Sequence, residues 1–232
     1  MRYLTRTTLP VVLFCSCVSL SQAQAPAASS PTDVYHVLFV KAAPGQAAAV
    51  AKELQEQDPK DPMAAHYLLL RHQEGDDWDY CLIQHIGAKA TVDLNSARPN
   101  PPPTMAWHTD TFVAGPSWPE FLRALLPAAT DSKAAHPVYI VAVHRAAPGH
   151  RTQLIDMLKQ PNADAKVPIS SVMLTHLEGG SWQVLHIDRY NSWQDLGTDR
   201  AASTAAAEAG WLEFRQHVAY HADTIADRVV PK

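Results

Sequence analysis

The stretch Val34-Tyr35-His36-Val37-Leu38-Phe39-Val40-Lys41-Ala42-Ala43-Pro44-Gly45 returns 104 residues later as Val138-Tyr139-Ile140-Val141-Ala142-Val143-His144-Arg145-Ala146-Ala147-Pro148-Gly149. Without any gap, the same offset carries Leu70, His72, Glu74, Gly75 and Trp78 onto Leu174, His176, Glu178, Gly179 and Trp182. A third match, His108-Thr109-Asp110-Thr111-Phe112 with His221-Ala222-Asp223-Thr224-Ile225, has an offset of 113, so the second half carries nine extra residues before it. A period near 100 residues is that of a duplicated domain, since solenoid units are far shorter. The fold must therefore be one that can be built twice, with each copy covering apolar surface on the other.

Each half reads in the same order. An alternating strand, Val34 to Lys41 or Val138 to Arg145, ends at Ala-Ala-Pro-Gly, where proline and glycine turn the chain into a helix. The helices, Ala47 to Gln57 and Thr152 to Lys159, repeat apolar residues at helical spacing and stop near Pro59 and Pro161. A hairpin follows, His66–His72 with Tyr80–His85 and Ser170–His176 with Trp182–Asp188, each joined through glycines suited to a two-residue turn. A second helical region, Gly87 to Ala97 or Ser192 to His217, precedes a short last strand around Phe112 or Ile225. The expected class is α+β, two tandem β-α-β-β-α-β ferredoxin-like units that pair their sheets as an intrachain dimeric α/β barrel. The units run over 34–116 and 138–232, and 117–137 forms a short helix and linker. In that linker Ser117 and Glu120 have capping-box spacing, and Trp118, Phe121, Leu122, Leu125 and Leu126 can cover an edge of the paired sheets.

With this topology, duplication and strand-Ala-Pro-Gly-helix opening, residues 34 to 230 resemble the dimeric α/β-barrel superfamily. Its members include antibiotic-biosynthesis-type monooxygenases, NIPSNAP-like proteins, and haem-using chlorite dismutase and dye-peroxidase relatives. The resemblance implies a ligand in the space enclosed by the paired sheets. It does not imply a particular chemistry.

Residues 1–23 have an export-signal layout, with Arg2 and Arg6 ahead of an apolar run from Leu9 to Leu20 and small residues at Ser21 and Ala23. The run is too short to span a bilayer, so a periplasmic or secreted protein is expected, with 24–33 as a disordered leader. Phe14 and Cys15 are poor precursors for lipid attachment at Cys17, which argues against a lipoprotein. Cleavage would remove two of the three cysteines, leaving Cys81 with no intrachain disulfide partner. It would also take the formal charge from −4 to −6. That balance lacks the basic footprint that nucleic-acid binding requires. No Gly-x-Ser-x-Gly elbow, phosphate-binding loop or dinucleotide fingerprint is present in the sequence.

If Gly75-Asp76 and Gly179-Gly180 centre the hairpin turns, the pairing sorts each hairpin into two faces. Leu70 with Cys81, Leu68 with Ile83, Leu174 with Leu185 and Val172 with Ile187 form an apolar face that is expected to pack under the helices. The mixed face carries Arg71 with Tyr80, Tyr67 with Gln84, Thr175 with Val184, Met173 with His186 and Ser171 with Asp188. Pointed into the enclosed space, it would line a ligand pocket. Its sharpest pair is His186 with Asp188, which two-residue spacing puts on one side of a strand, where the carboxylate can orient the imidazole for proton transfer. Tyr67, Arg71, Tyr80, Gln84, Met173 and Thr175 are the expected ligand-binding residues, with Arg71 placed to hold a carboxylate or phenolate.

The other histidines among the 12 divide differently. His72 and His176 are expected to stabilise the hairpins on the helix-packed face. His108 and His221 are expected at helix-to-strand junctions, favoured there by the helix dipole. His217 and His221 have the spacing of two helical metal ligands but lack a glutamate between them and a nearby third ligand, so no metal and no cofactor is assigned. The expected function is thus an exported barrel that binds a small apolar or aromatic molecule, with cofactor-independent monooxygenase-like activity as its catalytic form. The alternatives are a structural or protein-binding envelope protein, compatible with a homo-oligomer, and a haem-binding protein with an axial histidine.

Overall fold

A computed structural model describes residues 32–56, 65–91, 103–126, 136–160, 166–206 and 208–230. The expected signal segment 1–23, residues 24–31 of the expected leader, residues 127–135 of the expected linker and residues 92–97 of the expected first-half second helix lie outside the described residues. Among the described residues the architecture is α+β, an eight-stranded closed antiparallel barrel with five helices.

The first half contributes β1 (Asp33–Ala42), α1 (Ala47–Gln55), β2 (Tyr67–Glu74), β3 (Tyr80–Ala88) and β4 (Met105–Gly115). After α2 (Trp118–Leu125), the second half contributes β5 (Val138–Ala146), α3 (Arg151–Leu158), β6 (Ser170–Gly179), β7 (Val184–Tyr190), α4 (Trp193–Ala206), α5 (Glu208–His217) and β8 (Val218–Arg228). Around the barrel the order is β1-β3-β2-β8-β5-β7-β6-β4, closing back on β1. Each half therefore supplies four adjacent strands, joined to the other half along two seams, β2 with β8 and β4 with β6. The last strands are not short. β4 and β8 are each 11 residues long, and each pairs with the first strand of its own half and with a strand of the other half.

The Ala-Ala-Pro-Gly turns form alike in both halves. Gly45 and Gly149 take φ of +79° and +81°, and the amides of Gln46 and His150 donate to Ala43 and Ala147 carbonyls at 2.9 Å. A positive φ is inexpensive only for glycine, which explains its place after the proline. The hairpin register is the expected one, from Tyr67 opposite Gln84 to Arg71 opposite Tyr80, and from Ser171 opposite Asp188 to Thr175 opposite Val184. The connections are longer than two residues, because the tips leave their own hairpins and reach the other half.

At those tips Gly75 has φ +132° and Gly179 φ +110°. A Cβ on Gly75 would stand 2.5 Å from the Asp223 carbonyl oxygen, and one on Gly179 would stand 2.2 Å from that of Asp110. Next to them the amide of Asp76 donates to Thr224 Oγ1, and that of Gly180 to Thr111 Oγ1, both at 3.1 Å. The repeated Glu-Gly and Asp-Thr segments are thus partners. Each half's hairpin tip docks on the other half's last strand.

The two faces of the hairpins are reversed relative to expectation. Leu68, Leu70, Cys81, Ile83, Val172, Leu174, Leu185 and Ile187 are buried in one central cluster with Tyr35, Val37, Phe39, Tyr139, Val141 and Val143. That cluster fills the barrel. The helices pack outside on the alternate residues, Val50 and Leu54 of α1 against Val40, Leu69, Tyr80 and Leu82, and Leu196 of α4 against Val138, Ile140 and Tyr190. Leu154 of α3 packs with Ala146 and Val218. An all-apolar face belongs inside a closed barrel, where no water reaches it, whereas helix-covered faces have rims that tolerate polar groups.

The helix α2 plugs one end of the barrel instead of covering a sheet edge. Its Ser117 and Glu120 form the expected capping box, with Ser117 Oγ donating to Glu120 at 2.7 Å. Phe121 and Leu125 are fully buried in the central cluster. The repeat-related Tyr35 and Tyr139 hydroxyls donate to the Pro116 carbonyl at 2.8 Å and the Leu125 carbonyl at 2.7 Å, gripping both ends of the helix.

Gly179→Ala and Gly149→Ala both force alanine to a positive φ, but only the first also drives a methyl into a seam. Gly179→Ala is expected to lower unfolding free energy by about 2 kcal/mol more than Gly149→Ala. Urea denaturation of the two variants checks this, and equal losses would remove the seam contact from the account.

Candidate functional site

Since α2 closes one end, the inward residues at the other end decide what can enter. A cavity of about 300 Å³ opens there, lined by Phe39, Asp76, Trp78, Trp107, Thr109, Val143, Arg145, Ser181, Trp182 and Tyr220. Phe39 lies four residues beyond Tyr35 on β1, about 13 Å along the strand, so plug and cavity occupy opposite ends. The floor is aromatic and buried, with Trp78 and Trp182 bracketing Phe39 at ring centroid distances of 5.4 and 6.4 Å. The rim is mixed, with Trp107, Tyr220, Thr109, Ser181 and Arg145 exposed and Asp76 half-buried.

The repeat accounts for this composition. Phe39 and Val143, Trp78 and Trp182, and Trp107 and Tyr220 are repeat-related pairs, so both halves contribute the same positions to one cavity. Behind the indoles stand His72 and His176, in edge contact with Trp78 and Trp182 at 5.7 and 6.1 Å. Their Nε2 atoms are buried without a hydrogen-bond partner among the described residues. These histidines belong to the inner face, not the helix-packed face expected for them, and their rings pack edge-on against the floor. Tyr220 has its hydroxyl pKa raised, first by burial and then by Asp76, with Arg145 acting in the opposite direction.

None of the eight residues singled out from the sequence lines this cavity, because the mixed face lies outside the barrel. Arg71 forms a two-pronged ion pair with Asp227 across the β2–β8 seam at 3.1 and 2.6 Å, and Gln73 joins the same carboxylate. The Tyr80 hydroxyl donates to Ala47 at the start of α1, and Tyr67 packs beside that helix. Gln84 bonds His36, whose other ring nitrogen meets Asp110 at 2.7 Å. Thr175 Oγ1 donates across the β4–β6 seam to the Ala114 carbonyl, and Met173 is the outward cross-strand neighbour of His186. His186 and Asp188 do share a side of β7, with Nε2 and Oδ1 3.8 Å apart, and Asp188 accepts a hydrogen bond from Ser171.

The remaining histidines also moved from where the sequence put them. His108 and His221 lie on strands β4 and β8, not at helix ends. His108 meets Asp110 at 3.0 Å. His217 ends α5 and bonds His150 through their Nδ1 atoms at 2.8 Å, while His221 stacks on His144. The proposed helical ligand pair is thus split between a helix and a strand. No group of three or more metal-ligating side chains is arranged for an ion among the described residues. Cys81 is fully buried, and burial pushes its thiol pKa upward, away from nucleophile chemistry.

The sequence alone missed Trp78, Trp182, Phe39 and Arg145 as a site. The signal was present in the repeat, since Trp78 and Trp182 are matched positions, but it needed the inner face to be identified.

The closed antiparallel barrel with external helices and one open aromatic end defines this chain as an α/β-barrel-like protein. Among solved structures, the chain is similar to an anthrone oxidase-like protein, whose crystal structure aligns over 88% of this chain and 94% of that one with a TM-score of 0.53 and 15% identity. At that identity the likeness shows the fold alone. No family model and no curated protein matches the sequence.

Outside the barrel, burial lowers the His144 pKa to about 4, with His186 and His221 adding repulsion of a second positive charge. The unfolded chain takes up this proton near pH 6.5 and the folded protein only near 4, so stability is lost as pH falls through that window. The loss attributable to His144 is of order 3 kcal/mol. Urea midpoints at pH 7.5 and 4.5 should therefore fall further in the wild type than in His144→Phe, and parallel falls would exclude His144 as the cause.

Proposed function

We propose that this protein binds a small apolar or aromatic molecule at the open end of its barrel, after export through the segment 1–23 to a periplasmic or extracellular location. We also infer that each half is a ferredoxin-like unit and that the chain arose by tandem duplication of it. The four-strand order in each half and the repeat-related seams support that history.

The observation that carries the binding reading is the cavity floor. Three aromatic side chains at the end of an otherwise filled barrel leave about 300 Å³ open, which suits one or two fused rings. At the rim Trp107 and Tyr220 keep exposed aromatic surface beside that floor, whereas α2 covers the opposite end of the same barrel. The name of the anthrone oxidase-like neighbour points to a polycyclic aromatic as the kind of molecule to test. Cofactor-independent monooxygenase-like activity on the bound ring is the catalytic extension of this reading.

The neutral probe N-phenyl-1-naphthylamine, which fluoresces when removed from water, is expected to bind the purified protein saturably. Thr109 is exposed at the rim, so Thr109→Trp fills the opening without cutting into the core. It should weaken probe binding by about tenfold or more. Binding that is absent in the wild type, or unchanged in Thr109→Trp, would overturn the reading.

A further inference from the structure

The two halves place a basic residue at the same point of the cavity end, Lys41 on β1 and Arg145 on β5, yet treat the two charges differently. Lys41 Nζ lies 2.8 Å from Asp77 and 3.2 Å from Asp79, so its charge is spent inside its own half. At the repeat-related positions the second half has Ser181 and Gln183. Both carboxylates have gone, and Arg145 has no ion-pair or hydrogen-bond partner among the described residues. It lies over the Tyr220 ring at 5.6 Å and lines the cavity.

The replacement at position 183 separates structure from charge. Asp79 accepts a hydrogen bond from the Ala42 amide at 2.8 Å, and Gln183 accepts the same bond from the Ala146 amide at 2.8 Å. The bond that holds the end of the strand is kept, and only the negative charge has been lost. Ser181 likewise sits in the cavity rim as a neutral hydrogen-bonding group where Asp77 clamps the lysine.

We infer that Arg145 is an anion anchor, and that the ligand is a planar aromatic carrying one acidic group, a carboxylate, sulfonate or phenolate. This rests on the aromatic-pocket reading and adds the charge of the ligand to it. The guanidinium presents fork-shaped donors suited to such a group, and its stacking on Tyr220 leaves its edge available. The ring system sits among Phe39, Trp78 and Trp182. Asp76, the only acid in the lining, has Oδ1 held by the Asp77 amide at 2.9 Å. It disfavours a second anionic group and accepts a hydrogen bond from a hydroxyl or N–H on the ligand. Recognition is therefore one-sided, although the cavity walls come in matched pairs.

Two probes that differ by one sulfonate test this: 1-anilinonaphthalene-8-sulfonate and neutral N-phenyl-1-naphthylamine, titrated into the full chain, counting only the fluorescence that Thr109→Trp removes. Arg145→Met should weaken the sulfonate probe about tenfold and the neutral probe less than twofold, a ratio that a folding defect would not produce. Ser181→Asp, which restores the kind of carboxylate that clamps Lys41, should shift the ratio the same way. Lys41→Met should leave it unchanged. An unaltered ratio in both Arg145→Met and Ser181→Asp would overturn the anchor while leaving the aromatic pocket standing, and an equal shift in Lys41→Met would overturn its one-sidedness. Failure of the wild type to bind either probe would overturn the pocket reading and the anchor together.

Discussion

The barrel depends on one contact made twice, the docking of a glycine at each hairpin tip against the Asp-Thr backbone of the other half's last strand. Gly75 sits on Asp223-Thr224 and Gly179 on Asp110-Thr111, at distances that no side chain could share. An open four-stranded sheet has two edges with unpaired amides and carbonyls, and reciprocal docking consumes all four edges at once. The threonines then take the next amide of each tip, so the seams are closed by side-chain as well as main-chain bonds. Without these contacts neither half could hide the apolar face now filling the barrel.

Closure creates two ends, and the chain treats them differently. At one end the single helix α2 enters, held by the paired tyrosines and by Arg189, which donates to the Ala124 carbonyl at 2.9 Å. Its amide end is fixed by Asp33, which accepts from the Trp118 amide and also meets buried His85, both at 2.9 Å. Among the described residues α2 has no counterpart in the second half, and it fills one end alone. The other end keeps an aromatic floor and a polar rim, and the difference between Lys41 and Arg145 gives that rim its unpaired cation. The matching of repeat-related positions along the walls is thus broken at the rim of the open end.

Much of the fold was readable from sequence. The Ala-Ala-Pro-Gly turns, the first helices, the hairpin register and the capping box at Ser117 all follow from local chemistry, and local chemistry does not change on folding. Which face of the hairpins points inward did not follow. Two-residue periodicity shows that Leu68 and Leu70 share a side with Cys81 and Ile83, but an apolar side serves equally under a helix or inside a barrel. Arg71, Tyr80 and His186 looked like pocket residues because polar groups among aromatics suggest a lining. In the folded chain they are bound to Asp227, Ala47 and Asp188 on the outside. The turn lengths were misread for a related reason, since Gly75 and Gly179 serve contacts with a strand about 150 or 70 residues away in sequence, which no local pattern encodes.

The sequence by itself determined the α+β class, where the strands and first helices begin, and which strand residues stand side by side, because strand and helix periodicity and turn chemistry depend on neighbours within a few residues. Only the tertiary structure decided which side became the interior, that the repeated glycine and Asp-Thr segments are each other's partners, and that one end of the barrel stays open with Arg145 at its rim. Those outcomes depend on the two halves meeting, and burial and charge pairing across that meeting have no signature in either half alone.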